Sequence, residues 1–304
     1  MKKEATSAAP GSSSLSAEDL HPLLECRHAD PHRILGVRPD GRGGSVARVF
    51  HPGTSSVTLR FGDGERLPLA KVAAEGLFEA AIPGRTLSSG PGNYEIEATF
   101  PNGSSVTYRD SHAFSPVLGE LDLYLLGQGE HLESYRVLGA HPRTHEGIAG
   151  TSFAVWAPNA QRVSVVGDFN GWDGRRHMMR RLGGSGIWEL FVPGVGVGAH
   201  YKFELRGPHG DVFLKTDPCA FFAQHGLSTA CLVEGLGSYR WNDTAWMERR
   251  ARANHYAEPM SVYEVHLGSW RRRPEEGDRP LSYLELAEEL VAYATEMGLS
   301  LIHI

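Results

Sequence analysis

The sequence predicts a mostly β protein, with two tandem immunoglobulin-like β-sandwiches followed by the first βα(β) unit of an incomplete (β/α)8 barrel. Three observations predict it. A stretch of about a hundred residues is written twice. Each copy alternates apolar and polar residues over short runs broken by turn residues. From about Gly237 the pattern changes to one strand, one long amphipathic helix and a further apolar run.

The chain has 304 residues, enough for two or three domains that each bury a core. Its hydrophobic fraction of 41% excludes disorder of the whole chain. Gly (36) and Pro (18) are in excess, as expected for many short strands and turns. A net charge of −6 without a basic stripe argues against nucleic acid as a partner. No apolar run is long enough to span a membrane. Cys26, Cys219 and Cys231 are an odd number without metal-ligand spacing, which suits a reducing compartment and predicts a cytoplasmic protein. Met1-Lys2-Lys3 is followed by an Ala/Ser/Gly-rich stretch with no apolar core, so residues 1–15 are expected to form a disordered tail rather than a secretion signal.

Ser16-Ala-Glu-Asp19 resembles a capping box, and Leu20, Leu23 and Leu24 share a face, so a short helix should end before Asp30-Pro31. The repeat follows. Arg33-Ile-Leu-Gly36 returns as Arg136-Val-Leu-Gly139, and Val49-Phe-His-Pro52 as Val155-Trp-Ala-Pro158. Gly76-Leu-Phe-Glu79 with Pro83-Gly84 returns as Gly186-Ile-Trp-Glu189 with Pro193-Gly194. Tyr94, Asp110 and Phe114 map onto Tyr201, Asp217 and Phe221. Order and register hold throughout, so a domain was duplicated. The expected boundaries are 16–118 for the helix and first sandwich, 119–133 for a linker, and 134–236 for the second sandwich. Trp156 and Trp188 fall in strand patterns and read as core.

Residues 237–304 hold the third region. Ser261-Val-Tyr-Glu-Val-His-Leu267 reads as a strand. Ser282-x-x-Glu285 caps a helix with Tyr283, Ala287, Leu290, Val291, Ala294 and Met297 along one face and Gly298 as its stop. Leu299 to Ile304 begins a second apolar run. A full barrel of such units needs about 250 residues, so the region is expected to be truncated.

Tyr263-Glu-Val-His-Leu-Gly-Ser-Trp270 behind two sandwich repeats resembles bacterial glycogen branching enzyme (1,4-α-glucan branching enzyme), of the α-amylase superfamily. Val155-Trp-Ala-Pro-Asn-Ala160, Val166-Gly-Asp-Phe-Asn-Gly-Trp-Asp173 and Ser185-Gly-Ile-Trp-Glu-Leu190 are similar to that family's glycogen-binding-type sandwich. The first copy is more diverged. The resemblance implies retaining transglycosylation without metal or cofactor, with an Asp nucleophile and a Glu acid/base cutting α-1,4 links and re-forming them as α-1,6 branches. It places every catalytic carboxylate on later barrel strands, so no catalytic residue is expected in this chain, which should be inert alone. The expected partner is an α-glucan, glycogen or linear; oligomeric state stays open. A stand-alone glucan-binding protein, or part of a debranching or trehalose-releasing relative, are the rival readings.

By the same resemblance, Trp172 is the best glucan-contact candidate, with Lys202 offering hydrogen bonds beside it; against this stands a purely structural Trp172. Such modules usually add an aromatic near the Gly210 turn, where this sequence has Asp211-Val-Phe213 and no Trp. Trp270 could stack on a sugar or, the plainer reading, plug a seam between barrel and sandwich. Glu264 and His266 share one strand face. Gly194-x-Gly196-x-x-Ala199 imitates a dinucleotide fingerprint but precedes a strand, so it reads as a hairpin turn. His28/His32 and His141/His145 bracket prolines and are poor metal pairs. Arg271-Arg-Arg273 reads as a solvated loop.

Overall fold

A computed structural model describes residues 13–40, 43–82, 93–237, 239–254 and 256–303, and the repeat block Pro83-Gly84 lies outside them. The chain divides into two compact units, residues 1–238 and 239–304.

In the first unit, helix α1 (Ala17–Leu24) starts where Ser16 accepts a hydrogen bond from the Asp19 amide. Leu23 is fully buried, and Leu20 and Leu24 pack beside it. Ser13 to Leu15, expected in the disordered tail, are instead held in place. The Ser13 hydroxyl and the Ser14 amide donate to Glu79.

Strands β1 (Gly36–Pro39), β2 (Ser45–Phe50), β3 (Ser56–Phe61), β4 (Arg66–Ala73), β5 (Leu77–Ile82), β6 (Tyr94–Thr99) and β7 (Ser105–Tyr108) follow. They form one antiparallel sheet in the order β1-β2-β5-β4-β3-β6-β7. This differs from two separate sheets. The first half of β4 pairs with β3, and its second half pairs with β5 across a register shift between Lys71 and Ala73. The bulge bends the strand, so the sheet curls onto itself. Val37, Ala47 and Phe78 from one half then pack with Leu59, Ile96 and Ala98 from the other.

Helix α2 (Glu120–Gln128) leads into β8 (Gly139–His145), β9 (Ile148–Trp156), β10 (Arg162–Gly167), β11 (Arg180–Arg181), β12 (Ile187–Pro193), β13 (His200–Arg206), β14 (Val212–Lys215), β15 (Phe222–Ala223) and β16 (Cys231–Leu232). Here two sheets do face each other, β11-β12-β9-β8 and β10-β13-β16-β15, with β14 on the free part of β13. Their shared core holds Phe153, Trp188 and Leu190 against Val163, Tyr201 and Phe203. Trp188 is fully buried and its indole donates to the Ala157 carbonyl at 3.0 Å. Trp156 does not join the core and is 62% exposed. It closes β9 opposite Ile187, on the face away from Val155, where the cover by α2 ends. Between β12 and β13, the segment from Gly194 to Ala199 is a turn without a helix.

The duplication runs deeper than the sandwich. Helices α1 and α2 begin 103 residues apart, and so do the 3-10 turns Pro31–Arg33 and Ser134–Arg136. His28 contacts Asp19 at 3.3 Å, and His131 contacts Asp122 at 3.1 Å. The buried Tyr94 hydroxyl donates to Asp110 at 2.7 Å, and Tyr201 to Asp217 at 2.6 Å. Glu79 accepts the amide ahead of α1, while Glu189 accepts the Val117 and Leu118 amides ahead of α2. Helix α2, within residues 119–133, thus stands ahead of the second set of strands as α1 stands ahead of the first.

The second unit holds α3 (Thr244–Arg252), β17 (Val262–Glu264), α4 (Leu267–Trp270), β18 (Arg272–Arg273), β19 (Arg279–Pro280), α5 (Tyr283–Glu296) and β20 (Leu301–His303). Strand β17 pairs in parallel with β20 across α5, a βαβ arrangement. Ser282 and Glu285 cap α5 reciprocally, as the sequence predicts. The expected strand is shorter. It stops at Glu264, and His266 stands at the N-terminal boundary of the helical turn α4, its ring 2.8 Å from the Ser269 hydroxyl. Of the expected face of α5, Leu290 and Ala294 are buried, with Leu286 beside them, while Ala287 is exposed and Tyr283, Val291 and Met297 are 80%, 60% and 59% exposed. The three arginines are ion-paired rather than loosely solvated: Arg271 to Glu289, Arg272 to Asp278, and Arg273 to Glu285 and Glu289. With so little of this unit buried, limited trypsin digestion of the purified chain is expected to cut within residues 239–254 while 13–237 survives. A chain resistant along its whole length would contradict this.

Candidate functional site

The site is built on β13 and the loop after β10. Tyr201 and Phe203 enter the core, so strand alternation sends His200, Lys202 and Glu204 to the outer face of the five-stranded sheet. Gly167, opposite Tyr201, ends β10 and launches the loop beside His200.

That loop is braced from below by Asn170, which is 3% exposed. Its side-chain oxygen accepts the Gly167 amide at 3.0 Å, and its amide group donates to the Val165 carbonyl at 3.0 Å and lies 2.9 Å from His177 Nδ1. Burial, with His112, His51 and Arg176 adding to it, holds the His177 ring down at about 3, so it is neutral and Nδ1 accepts. Gly171 and Trp172 then both take positive φ, 65° and 60°. For a tryptophan this left-handed conformation costs roughly 1 kcal/mol or more, and strain of this kind gathers at functional positions. The loop fixes it twice. The Trp172 amide donates to the Gly167 carbonyl, and the indole donates to Asp168 Oδ1 at 2.9 Å.

Asp168 joins the two halves of the site. Its second oxygen lies 3.1 Å from His200 Nδ1. Trp172 and Lys202 are thus brought onto one surface through the Asp168–His200 pair. Trp172 is 37% exposed, and Lys202 Nζ donates to the Thr229 hydroxyl at 2.6 Å. The result is a partly open indole flanked by an amine, a carboxylate, an imidazole and a hydroxyl, apolar plane beside donors and acceptors.

Sequence reasoning nominates Trp172 and Lys202 but does not reach Asp168, His200, Thr229 or Phe222, which the structure places beside them. His200 was legible, since it stands two residues before Lys202 on the same strand. Phe222 was not. It lies on β15 opposite Leu232, which in turn pairs with His200, so all three share the outer face, and Phe222 is 41% exposed. Phe213 does not replace the missing aromatic. It pairs with Leu205, placing it on the other face, and Leu214 opposite Glu204 takes the outer position.

The first β-unit reaches the back of this loop. The Arg176 guanidinium donates to the Asn170 carbonyl and lies 5.6 Å over the Phe100 ring, while Met178 packs among Leu23, Phe50 and Leu77. Trp270 sits in the second unit and is half-buried. Its indole donates to the Tyr263 hydroxyl at 3.0 Å, packs edge-on against Tyr293, and carries Arg271 4.3 Å over its ring. Glu264 faces His303, and His266 turns to Ser269, so the expected pair does not act as one surface. Among the described residues no cluster of His, Cys, Asp and Glu could hold a metal ion, and no helix is long and apolar enough to cross a membrane. Of the paired histidines, His28 contacts Asp19 while His32 packs edge-on against His112.

Two family profiles match this chain. Residues 16–112 match the N-terminal domain of alpha-1,4-glucan branching enzyme GlgB, and residues 137–220 match carbohydrate-binding module 48 (isoamylase N-terminal domain). Among curated relatives, the 1,4-alpha-glucan branching enzyme GlgB of Myxococcus xanthus is 49% identical over 92% of this chain and 38% of its own length. That of Roseobacter denitrificans is 46% identical over 93% of this chain and 39% of its own. The chain therefore spans about two fifths of the relatives it matches. A solved pullulanase from Anoxybacillus sp. LM18-11 is similar over 78% of this chain and 32% of its own, at 16% identity and a TM-score of 0.32.

Proposed function

Because the chain belongs to the glycogen branching enzyme family and matches its N-terminal region, we propose that it is the glucan-holding part of an enzyme that cuts α-1,4 links and re-forms them as α-1,6 branches. The retaining chemistry needs a nucleophilic carboxylate and an acid/base carboxylate about 5–5.5 Å apart. We place that pair in the portion of the relatives that this chain does not span, so residues 1–304 bind but do not branch. The cytoplasm, where a glycogen store is built, is the proposed location.

The observation that carries the binding role is the strained, partly exposed Trp172 tied through Asp168 to the His200 and Lys202 face. A glucose ring offers an apolar C–H face to the indole and a rim of hydroxyls to Lys202, Asp168 and Thr229. Phe222 extends the surface two strands further, roughly 10 Å at the usual strand spacing, which suits a linear α-1,4 chain rather than a single sugar. The Trp172→Ala variant is expected to migrate freely through a glycogen-containing native gel that retards the parent chain, at unchanged thermal stability. Equal retardation of the two would remove this site.

The two β-units are proposed to be immunoglobulin-like sandwiches, the first closed through the bent β4. On the repeat evidence, the second domain is proposed to begin at Gly119, with α2. The β17–α5–β20 segment is proposed as the opening unit of a (β/α)8 barrel, with Trp270 filling space beside Tyr293 rather than meeting sugar. The first β-unit supports the binding loop from behind through Arg176 and Met178.

A further inference from the structure

An open cleft of about 710 Å³ lies within residues 13–237, away from the Trp172 face, where the segment after α1, the exit of the first β-unit and strand β11 converge. Four arginines line it, Arg33, Arg38, Arg180 and Arg181, against two acids, Asp30 and Glu146. The pairing among them is incomplete. Arg180 is met by the buried Glu189, Arg33 by Asp19, and Glu146 is taken up by the Ser115 amide and hydroxyl. Arg38 is different. Its guanidinium donates to the carbonyls of His32 at 2.8 Å and His112 at 2.7 Å, which fix its direction without neutralising it. Among the described residues, no ion pair meets the exposed Arg181. The acceptor side is also unfinished, since Asp30 Oδ1 is buried without a hydrogen-bond partner. Beside it, His32 is 5% exposed, and among the described residues no side chain hydrogen-bonds to its ring, with only the Ser111 backbone close to it.

A buried polar atom without a partner is costly, by about 1–3 kcal/mol, so such groups mark places that a ligand or water must satisfy. Two uncompensated guanidinium groups ask for an oxoanion, and guanidinium geometry suits phosphate. A buried carboxylate oxygen asks for a hydroxyl. His32 is kept neutral by burial and by the neighbouring His112, Arg180 and Arg38, so it offers one donor and one acceptor, again matching hydroxyls rather than a second anion.

We propose that this cleft is a second ligand site, taking a phosphorylated hexose with its phosphate on Arg38 and Arg181 and its hydroxyls on Asp30 and His32. It is independent of the glucan face, and its occupant sits where the two β-units meet, so binding ties one to the other. Titration calorimetry on the purified 304-residue chain, with glucose 6-phosphate, inorganic phosphate and glucose as probes, tests it. Glucose 6-phosphate is expected to bind at one site per chain, more weakly as salt is raised, with inorganic phosphate at least about tenfold weaker and glucose silent. Arg181→Gln, a change on an exposed side chain, should weaken glucose 6-phosphate by roughly tenfold, the worth of one charge-assisted contact, while glycogen retardation stays as in the parent. Absence of binding, equal binding of inorganic phosphate, or an affinity untouched by Arg181→Gln would each overturn the assignment.

Discussion

Replacing Glu189 with alanine is expected to cost the second β-unit about 3–5 kcal/mol, the penalty of leaving a buried charge unpaired. Glu189 has no exposed surface, and it does three things at once. It pairs with Arg180 at 3.0 Å, accepts the Val117 amide at 2.9 Å and accepts the Leu118 amide at 2.7 Å. Removing it strands a guanidinium that burial already disfavours, together with two backbone donors ahead of α2. Glu189→Gln should cost less, because the amide oxygen still accepts from Leu118. Urea unfolding followed by the fluorescence of buried Trp188 measures both. A loss below about 1 kcal/mol for the alanine variant would show that the network is relieved by water.

Acidification is expected to produce the second large effect, well above the range where carboxylates protonate. Burial, with Arg176 adding to it, lowers His51 to about 4, and His177 lies at about 3, against an ordinary 6.5. The unfolded chain takes up protons that these folded rings refuse. Stability is therefore complete above about pH 6.5 and falls steadily as pH drops toward 4. At about 1.4 kcal/mol per unit of displacement, His51 alone accounts for roughly 3 kcal/mol by pH 4. Asp110, held below its usual value by hydrogen bonds from His112 and Tyr94 despite its burial, adds a loss only lower still. Asp217, pushed up by burial, works in the opposite direction. Melting temperatures taken from pH 7 to pH 4 should hold to about pH 6.5 and fall from there, and His51→Gln should flatten the slope. A melting temperature constant over that range would refute the account. Protonating the folded His177 ring, near pH 3 and so below that window, would also set an N–H against the Asn170 amide, so the Trp172 loop should loosen and glycogen retardation fade only there.

The repeat could be seen in sequence because duplicated cores keep their spacing. Tyr94 and Asp110 recur as Tyr201 and Asp217, since a buried hydroxyl must keep its acceptor. The caps at Ser16 and Ser282 were legible for a similar local reason, as the partners lie three residues apart. The likeness of α2 to α1 is harder to read from sequence. Asp122 and His131 match Asp19 and His28, but two residues nine apart look like nothing until they touch.

Trp156 and Trp188 show where one dimension fails. Both stand in strands with strong apolar patterns, yet one is 62% exposed and the other fully buried. Pleating says that they face one way or the other; only the neighbouring sheet and helix say which face is covered. The face of α5 is legible only in part for the same reason: Leu290 and Ala294 are buried as expected, but apolar residues surround much of the helix and spacing does not say which of the others is covered.

The chain by itself determined its duplicated β architecture, its strand–helix–strand ending, its helix caps, and the candidacy of Trp172 and Lys202. All of these are set by short-range chemistry or by a pattern that repeats. Tertiary structure alone decided that Asp168 bridges Trp172 to His200, that β4 folds one sheet onto itself, and that Arg38 and Asp30 are left incompletely partnered in a shared cleft. Those facts depend on groups meeting in three dimensions, as Asp168 meets His200 and Arg38 meets the His112 carbonyl, and hydrophobic spacing carries no record of which outward-facing side chains will meet.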